Sequence, residues 1–471
     1  MGNIVLVSPC GTGNLGDAAI QDSMIAGIRQ RYPHARILGV TLNPRDTEQR
    51  HGLTTFPIAV MDGGVGGSPV LGDRGAGGSA ALGEEQASRL QHRSLVGSFK
   101  NLLRRSVALV RRVIRKAARL ILPGSLCDRL GNIRDEAEHL IGAWRHLDGV
   151  DTLIFSGGGQ LGDEWGGAGG HPWAMFKWAL LARLRGARVL FLSVGYTTLS
   201  SRRSRLLTRL ALGLAEYRSY RDSGSLNLLR GIGFTRMDPV VPDLAYARPD
   251  RHVRGPLAGP VQTVGICPMA YCDPRGWPVH DRSAFEDYLE RLVQVAVWLV
   301  GTGRRLVFFA SGGADNRVAD EVTARLSDRL EPGQEGLIRR APVTSVDGFL
   351  QQSAAVDVVV ASRLHSLLLS HLTGTPTIAF SYERKVDVLM REMEQESYAL
   401  NIDTFSACDF RRAFTALEAN WHAIYDRLLN KQREYRRLLQ TQFDQVLVHD
   451  AERLDESTAL RCAHAAAIHQ S

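Results

Sequence analysis

The chain is 471 residues long, enough for two or three domains or one large fold with a substantial core. Apolar residues at 44% and charged residues at 23% are ordinary globular usage, which excludes a disordered tail protein, while 47 glycines require many tight turns. Lys and Arg exceed Asp and Glu by 57 − 49 = 8, and the eight cations Lys100, Arg104, Arg105, Arg111, Arg112, Arg115, Lys116 and Arg119, uninterrupted by an acid, match that whole excess. The remainder is near neutral, which argues against a nucleic-acid surface spread over the protein. Six scattered cysteines show neither CxxC zinc spacing nor a disulfide framework. The start lacks the basic region of a signal peptide, and no run approaches the ~20 apolar residues of a membrane span, so the expected compartment is the cytoplasm.

In chain order, Ile4–Ser8 reads as a strand, followed by a glycine turn and the helical spacing of Ala18–Arg29. Ala35–Leu42, Asp151–Ser156 and Ala187–Val194 read as further strands, the last preceded by a helix over Pro172–Arg185. Tyr217–Asp222 is strand-like. The segment Arg248–Pro260, dense in Pro, Gly and Arg, reads as a linker. After it come strands at Thr263–Pro268, Arg305–Ala310, Gly336–Arg340, Val356–Ala361 and Thr377–Ser381, with helices at Asp281–Val300, Asp315–Arg329, Val346–Gln352 and Ser366–Leu372 between them. This alternation predicts an α/β protein of two parallel-sheet halves with the active site in the cleft at the carboxyl ends of strands. Asp62–Glu84, with nine glycines, reads as a flexible loop, and Ser98–Leu122 as a basic amphipathic helix with an apolar stripe. The tail from Phe410 to about Leu454 is helical.

Four motifs stand at strand ends. Gly11-Thr12-Gly13-Asn14-Leu15-Gly16-Asp17 contains GxGxxG, suited to an anion at a helix N-terminus. The second strand ends in Thr41-Leu42-Asn43 and not in the acid that would hold a ribose, so nicotinamide binding is disfavoured. The turn is either a plain tight turn with Asp17 capping the helix, or a ligand site using Asn14 and Asp17. Ser156-Gly157-Gly158-Gly159 allows close approach of backbone to ligand or to another backbone. Arg221-Asp222 offers an anion fork or a local surface pair. Arg363-Leu364-His365 places a cation and an imidazole at a helix start; His365 and His371, six apart, point to different helix faces and form no metal pair.

Together, Gly13-Asn14-Leu15-Gly16-Asp17, Gly157-Gly158-Gly159, Arg221-Asp222-Ser223, Asp243, Arg363-Leu364-His365-Ser366 and Gly374-Thr375-Pro376 followed by Tyr382 and Lys385 resemble the polysaccharide pyruvyl transferase family over roughly residues 3–390, apart from an expansion at 62–150. Ala18 departs from the Glu the family often has after the Asp. The resemblance implies two Rossmann-like domains facing across a cleft as in the glycosyltransferase-B fold, over 1–247 (with the insertion 62–150) and 261–405, joined by a linker at 248–260 and followed by a helical tail over 406–471. It implies phosphoenolpyruvate as donor, a sugar hydroxyl pair as acceptor, and Arg221, Arg363 and His365 at donor-binding positions.

Phosphoenolpyruvate carries a carboxylate and a phosphate, so its site needs two cationic forks and helix-end N–H groups, which Arg221, Arg363 and the glycine turns provide. The expected site has His365 and Asp17 as catalytic groups and Arg221, Arg363, Asn14, Gly158, Gly159 and Lys385 as substrate-binding groups. Asp163 is a further candidate base for a hydroxyl. The chemistry calls for no metal and no organic cofactor. Expected partners are phosphoenolpyruvate, a sugar or lipid-linked glycan, and an anionic membrane surface through residues 98–122 at the inner face of the plasma membrane; no nucleic acid is expected. The alternative is a nucleotide-sugar-dependent glycosyltransferase of similar fold, with Glu383 on the ribose.

Overall fold

A computed structural model describes residues 2–11, 13–60, 124–164, 166–249, 252–277 and 281–448. The expected loop Asp62–Glu84 and basic helix Ser98–Leu122 lie outside these residues. The chain forms two compact units, one of Met1–Ser68 with His146–Ser471 and the other of Pro69–Arg145. In the second, the described part belongs to helix α3 (Gly124–His146), where Arg134 and Glu138 pair one turn apart at 3.1 Å.

The larger unit holds two six-stranded parallel sheets. The first comprises β1 (Asn3–Ser8), β2 (Arg36–Thr41), β3 (Thr54–Pro57), β4 (Thr152–Ser156), β5 (Arg188–Val194) and β6 (Tyr217–Tyr220) in the order β3-β2-β1-β4-β5-β6. Helices α1 (Leu15–Arg31), α2 (Pro44–His51), α4 (His171–Leu184), α5 (Arg202–Leu214) and α6 (Ser223–Gly231) alternate with these strands. The second comprises β7 (Thr263–Cys267), β8 (Arg305–Phe308), β9 (Ile338–Arg340), β10 (Val358–Ala361), β11 (Thr377–Ser381) and β12 (Ala399–Asn401) in the order β12-β11-β10-β7-β8-β9. Its helices are α7 (Arg282–Gly301), α8 (Gly313–Ser327), α9 (Val346–Ala354), α10 (Leu364–Leu372) and α11 (Arg384–Glu392), followed by α12 (Ala407–Ala419) and α13 (Trp421–Phe443). The central strands are apolar without interruption, as in β4 (TLIFS, all buried), because helices cover both faces.

Strand order reverses between β1 and β4 in one sheet and between β10 and β7 in the other, and open parallel sheets bind ligands at the carboxyl ends of such strands. The two glycine clusters leave β1 and β4, and the Arg-Leu-His motif leaves β10. The sheets meet there: the Leu15 N–H donates to the Ser311 carbonyl at 3.1 Å. Arg248 bridges Asp22 of α1 (2.6 Å) and Asp347 of α9 (2.8 Å). The tail then returns to the first sheet, where Gln442 Oε1 accepts from Tyr217 Oη at 3.3 Å and Phe443 fills the space that a side chain at Gly27 would need.

Candidate active site

The turn after β1 needs its glycines for packing. A Cβ at Gly11 (φ +109°) would fall 2.5 Å from the Asn43 side chain, and one at Gly16 would fall 1.9 Å from His365 Cγ. The third glycine of GxGxxG therefore admits an imidazole from the other sheet. The helix cap is Asn14 and not Asp17: its Oδ1 accepts from the Gly16 N–H at 3.0 Å, and its Nδ2 donates to Asp17 Oδ2 at 3.1 Å. Asp17 sits in the first turn with its carboxyl buried.

The triple glycine divides its work. Gly157 (φ +52°) packs against Ile20 and Leu244, whereas a Cβ at Gly158 (φ +70°) would stand 3.7 Å from Asp17 Oδ1. Gly159 lies against Thr197. Arg221, at the end of β6, rests flat on Gly195, where a Cβ would come within 2.5 Å of its Nε. Its Nε donates to Asp222 at 3.2 Å, and Nη1 lies 3.7 Å from Asp243 Oδ2, a buried oxygen with no hydrogen-bond partner.

From the second sheet, Arg363 Nε and Nη2 form a fork onto buried Asp315, the Nη2 bond being 2.8 Å, and this leaves the Nη1 edge for another anion. Asp315 in turn accepts from the Ala270 N–H at 2.9 Å. Lys385 Nζ pairs with Glu383 at 2.5 Å and lies 5.4 Å from the Tyr382 ring centre. Around these cations Tyr271, Trp277 and Tyr382, all half-buried, form a triangle of tilted rings 5.8–6.2 Å apart. Cys272, beside Tyr271, holds the left-handed conformation at φ +53°, which is costly away from glycine.

The ionisation of these groups is coupled. Burial and the nearby Asp243 push Asp17 up to about 7 against the pull of Asn14, Arg221 and Lys385. Burial brings His365 down to about 4; Asp243 opposes this, and Arg221, Lys385 and Arg363 add to it. Its Nε2 is buried without a hydrogen-bond partner. Burial alone would lower Lys385, but Tyr382 and Glu383 outweigh it and raise its pKa. Glu392 of α11 is likewise pushed up to about 7 by burial and Asp222. At neutral pH an uncharged imidazole and two half-protonated carboxyls, Asp17 and Glu392, thus stand among three cations.

Asp17, Arg221, Arg363, His365 and Lys385 therefore share one field; Asn14 both caps α1 and donates to Asp17, and Gly159 lies against Thr197. Asp163 is occupied elsewhere: burial would raise its pKa, but bonds from Ser204, Ser200 and Ser201 hold it low, and its Oδ2 takes the Ser200 N–H at 2.9 Å. Asp315, Tyr271, Trp277 and Glu392 escape sequence reasoning. Only the preceding β7 and the pairing need of Arg363 hint at them, and the Arg363–Asp315 contact spans 48 positions.

Two facing Rossmann-like domains with a polar crevice define the class. Similar folds are a putative UDP-N-acetylglucosamine 2-epimerase from Listeria monocytogenes (9% identity, 91% of each chain, TM-score 0.51), UDP-GlcNAc 2-epimerase from Methanocaldococcus jannaschii (9% identity, 88% of this chain and 92% of that one, TM-score 0.50) and Anabaena HepE solved with UDP (11% identity, 97% and 100%, TM-score 0.50). No curated protein matches the chain significantly. The model of the polysaccharide pyruvyl transferase family matches residues 14–384, and the chain belongs to that family. It is thus a transferase enzyme.

Proposed function

We propose that the protein transfers the pyruvyl group of phosphoenolpyruvate to hydroxyls of a sugar in a cell-surface polysaccharide or its precursor, releasing phosphate. The observation that carries this reading is the convergence of Arg221, Lys385 and the free edge of Arg363 beside a proton-holding Asp17 and an uncharged His365. Three cations suit a ligand bearing both carboxylate and phosphate. Asp17, titrating near 7, is matched to give a proton to the methylene carbon, which leaves a cationic carbon stabilised by the bound oxygens. His365, unprotonated at neutrality, takes the proton of the first sugar hydroxyl as its oxygen bonds to that carbon. Phosphate then leaves with its C–O bond electrons, and the second hydroxyl closes the ketal, giving its proton to the Asp17 carboxylate left by the first step. Sequence alone makes His365 the acid/base candidate and Asp17 or Asp163 a base for a hydroxyl; in this scheme Asp17 takes the acid's part and His365 the base's. The aromatic triangle of Tyr271, Trp277 and Tyr382 is the surface on which a sugar ring would pack. A lipid-linked acceptor would bring the enzyme to the inner face of the plasma membrane. Among the described residues no helix is long and apolar enough to cross a membrane.

Transfer from a nucleotide sugar is the second reading, favoured by the UDP bound to the Anabaena neighbour. It asks Glu383 to hold a ribose, yet that carboxylate is paired with Lys385 at 2.5 Å. The readings separate on mixing purified protein with phosphoenolpyruvate and a set of nitrophenyl or lipid-linked hexosides. Phosphate release that requires both substrates, and that is lost in His365→Gln, is the expected result. Nucleotide release from a nucleotide sugar, with none of phosphate from phosphoenolpyruvate, would replace it.

A further inference from the structure

Outside the crevice, one face combines unpaired charge with exposed apolar side chains that the fold does not use. Helix α5 carries four arginines and no acid, three of them in its first four residues, where the positive end of the helix dipole repels cations. Its outward side presents Leu206, 54% exposed, and Leu210, 44% exposed, one turn apart and flanked by exposed Arg202, Arg203 and Arg209. The Gly233 turn lies against the Arg209 guanidinium, and shortly beyond it Met237 is 90% exposed. Arg218, on the neighbouring strand, is tied to Asp238 at 3.0 Å, whereas Arg202, Arg203 and Arg209 form no ion pair among the described residues. The near-neutral remainder inferred from composition therefore hides a locally cationic, apolar surface.

We propose that this face docks the protein onto an anionic phospholipid surface. Arginine suits phosphate in either a lipid headgroup or a nucleic acid. The apolar part separates the two: two leucines stand proud between the cations and an exposed methionine follows the turn beside Arg209, chemistry that enters a headgroup boundary and has no use on a phosphodiester backbone. The position of the helix agrees. Asp163 holds the backbone N–H groups of Ser200 and Ser201 just before α5, so the cationic helix starts at the carboxyl ends of β4 and β5, on the rim of the crevice. This face uses none of residues 98–122, and docking through it does not depend on pyruvyl transfer.

The test is sedimentation of the full chain with phosphatidylcholine vesicles, with and without a minority of phosphatidylglycerol. The unmodified protein should bind only the anionic vesicles. A basic residue near such a surface strengthens binding about fivefold, so Arg202→Glu/Arg203→Glu/Arg209→Glu should weaken it at least ~100-fold. Leu206→Ser/Leu210→Ser, which keeps every charge, should weaken it roughly tenfold or more through lost apolar burial. The two variants remove different chemistry from exposed positions, so either remains informative if the other melts early. No binding by the unmodified chain, or full binding by the triple variant, would overturn the proposal. So would unchanged vesicle binding by the leucine variant alongside charge-dependent capture of an oligonucleotide, which would mark a polyanion site instead.

Discussion

At the scale of single residues, the crevice depends on groups held in ionisation states they would not keep in water. Asp17 releases its proton near 7 in the native protein and near 3.8 when unfolded. Between about pH 4 and 7 the unfolded chain has therefore lost a proton that the native chain still holds, and native stability falls as pH rises through that window. Asp17→Asn removes this titration. Urea midpoints of the variant and the parent should agree near pH 4 and diverge as pH rises, the variant gaining on the order of 4 kcal/mol by pH 8. Parallel stability curves across that range would show that Asp17 is ionised throughout. Gly16 gives a second prediction. A methyl group 1.9 Å from the His365 ring cannot be accommodated in place, so Gly16→Ala should displace the imidazole and abolish turnover while leaving the exterior of α1 unchanged. An NMR spectrum in which the His365 ring resonances do not move would contradict the packing.

At the scale of elements, the loops and helices that leave the strand ends position these residues. Asp315, in the first turn of α8, fixes the Arg363 guanidinium by two bonds, so the cation at the end of β10 is aimed by a helix far from it in sequence. The loop after β7 supplies Tyr271 and Trp277, with the Tyr271 hydroxyl donating to Asp403 at 2.8 Å. On the acceptor assignment, Trp277→Ala should raise the sugar KM roughly tenfold, equivalent to ~1.4 kcal/mol, and leave the phosphoenolpyruvate KM unchanged. An effect confined to phosphoenolpyruvate would move the ring to the donor side. Several elements left little mark in the sequence for physical reasons. α2 buries only Thr47 and so has no apolar stripe, and β3 and β12 are short edge strands of four and three residues.

For the whole larger unit, the connection between sheets carries no regular structure from 252 to 260, yet it is pinned at both ends. Arg248 joins Asp22 and Asp347, and Arg254 donates to Asp357 at 2.8 Å and stacks on Trp421, 4.7 Å from its ring centre. Arg248→Met keeps much of the side-chain volume and removes both pairs. Asp347 is half-exposed and should tolerate this, whereas Asp22 is about one-third exposed and loses its closest cation. Stability should drop by about 1–3 kcal/mol, read as a lower urea midpoint that high salt brings closer to the parent. An unchanged midpoint would show that α13, whose Gln442 and Phe443 reach back to Tyr217 of β6 and Gly27 of α1, holds the two sheets together without this bridge.

Much of this protein is determined by local sequence. Short apolar runs such as Val5–Val7 and Val358–Val360, alternating with helical spacing, read as strands covered on both faces, and the glycine turn after the first and the Arg-Leu-His motif after the second mark strand ends, so two parallel sheets and the address of the crevice follow from short-range pattern. The resemblance carried by Arg363-Leu364-His365 is of the same kind. Local pattern does not fix the partner that each group meets across the crevice. Gly16 looks like part of a phosphate turn and is in fact a seat for His365, and Asp17 looks like a cap and is a buried, proton-holding carboxyl beside Asp243. Arg363 looks free and is half-committed to Asp315. Pairing, burial and the resulting pKa depend on distances between residues tens to hundreds of positions apart, and those distances exist only once the sheets have packed.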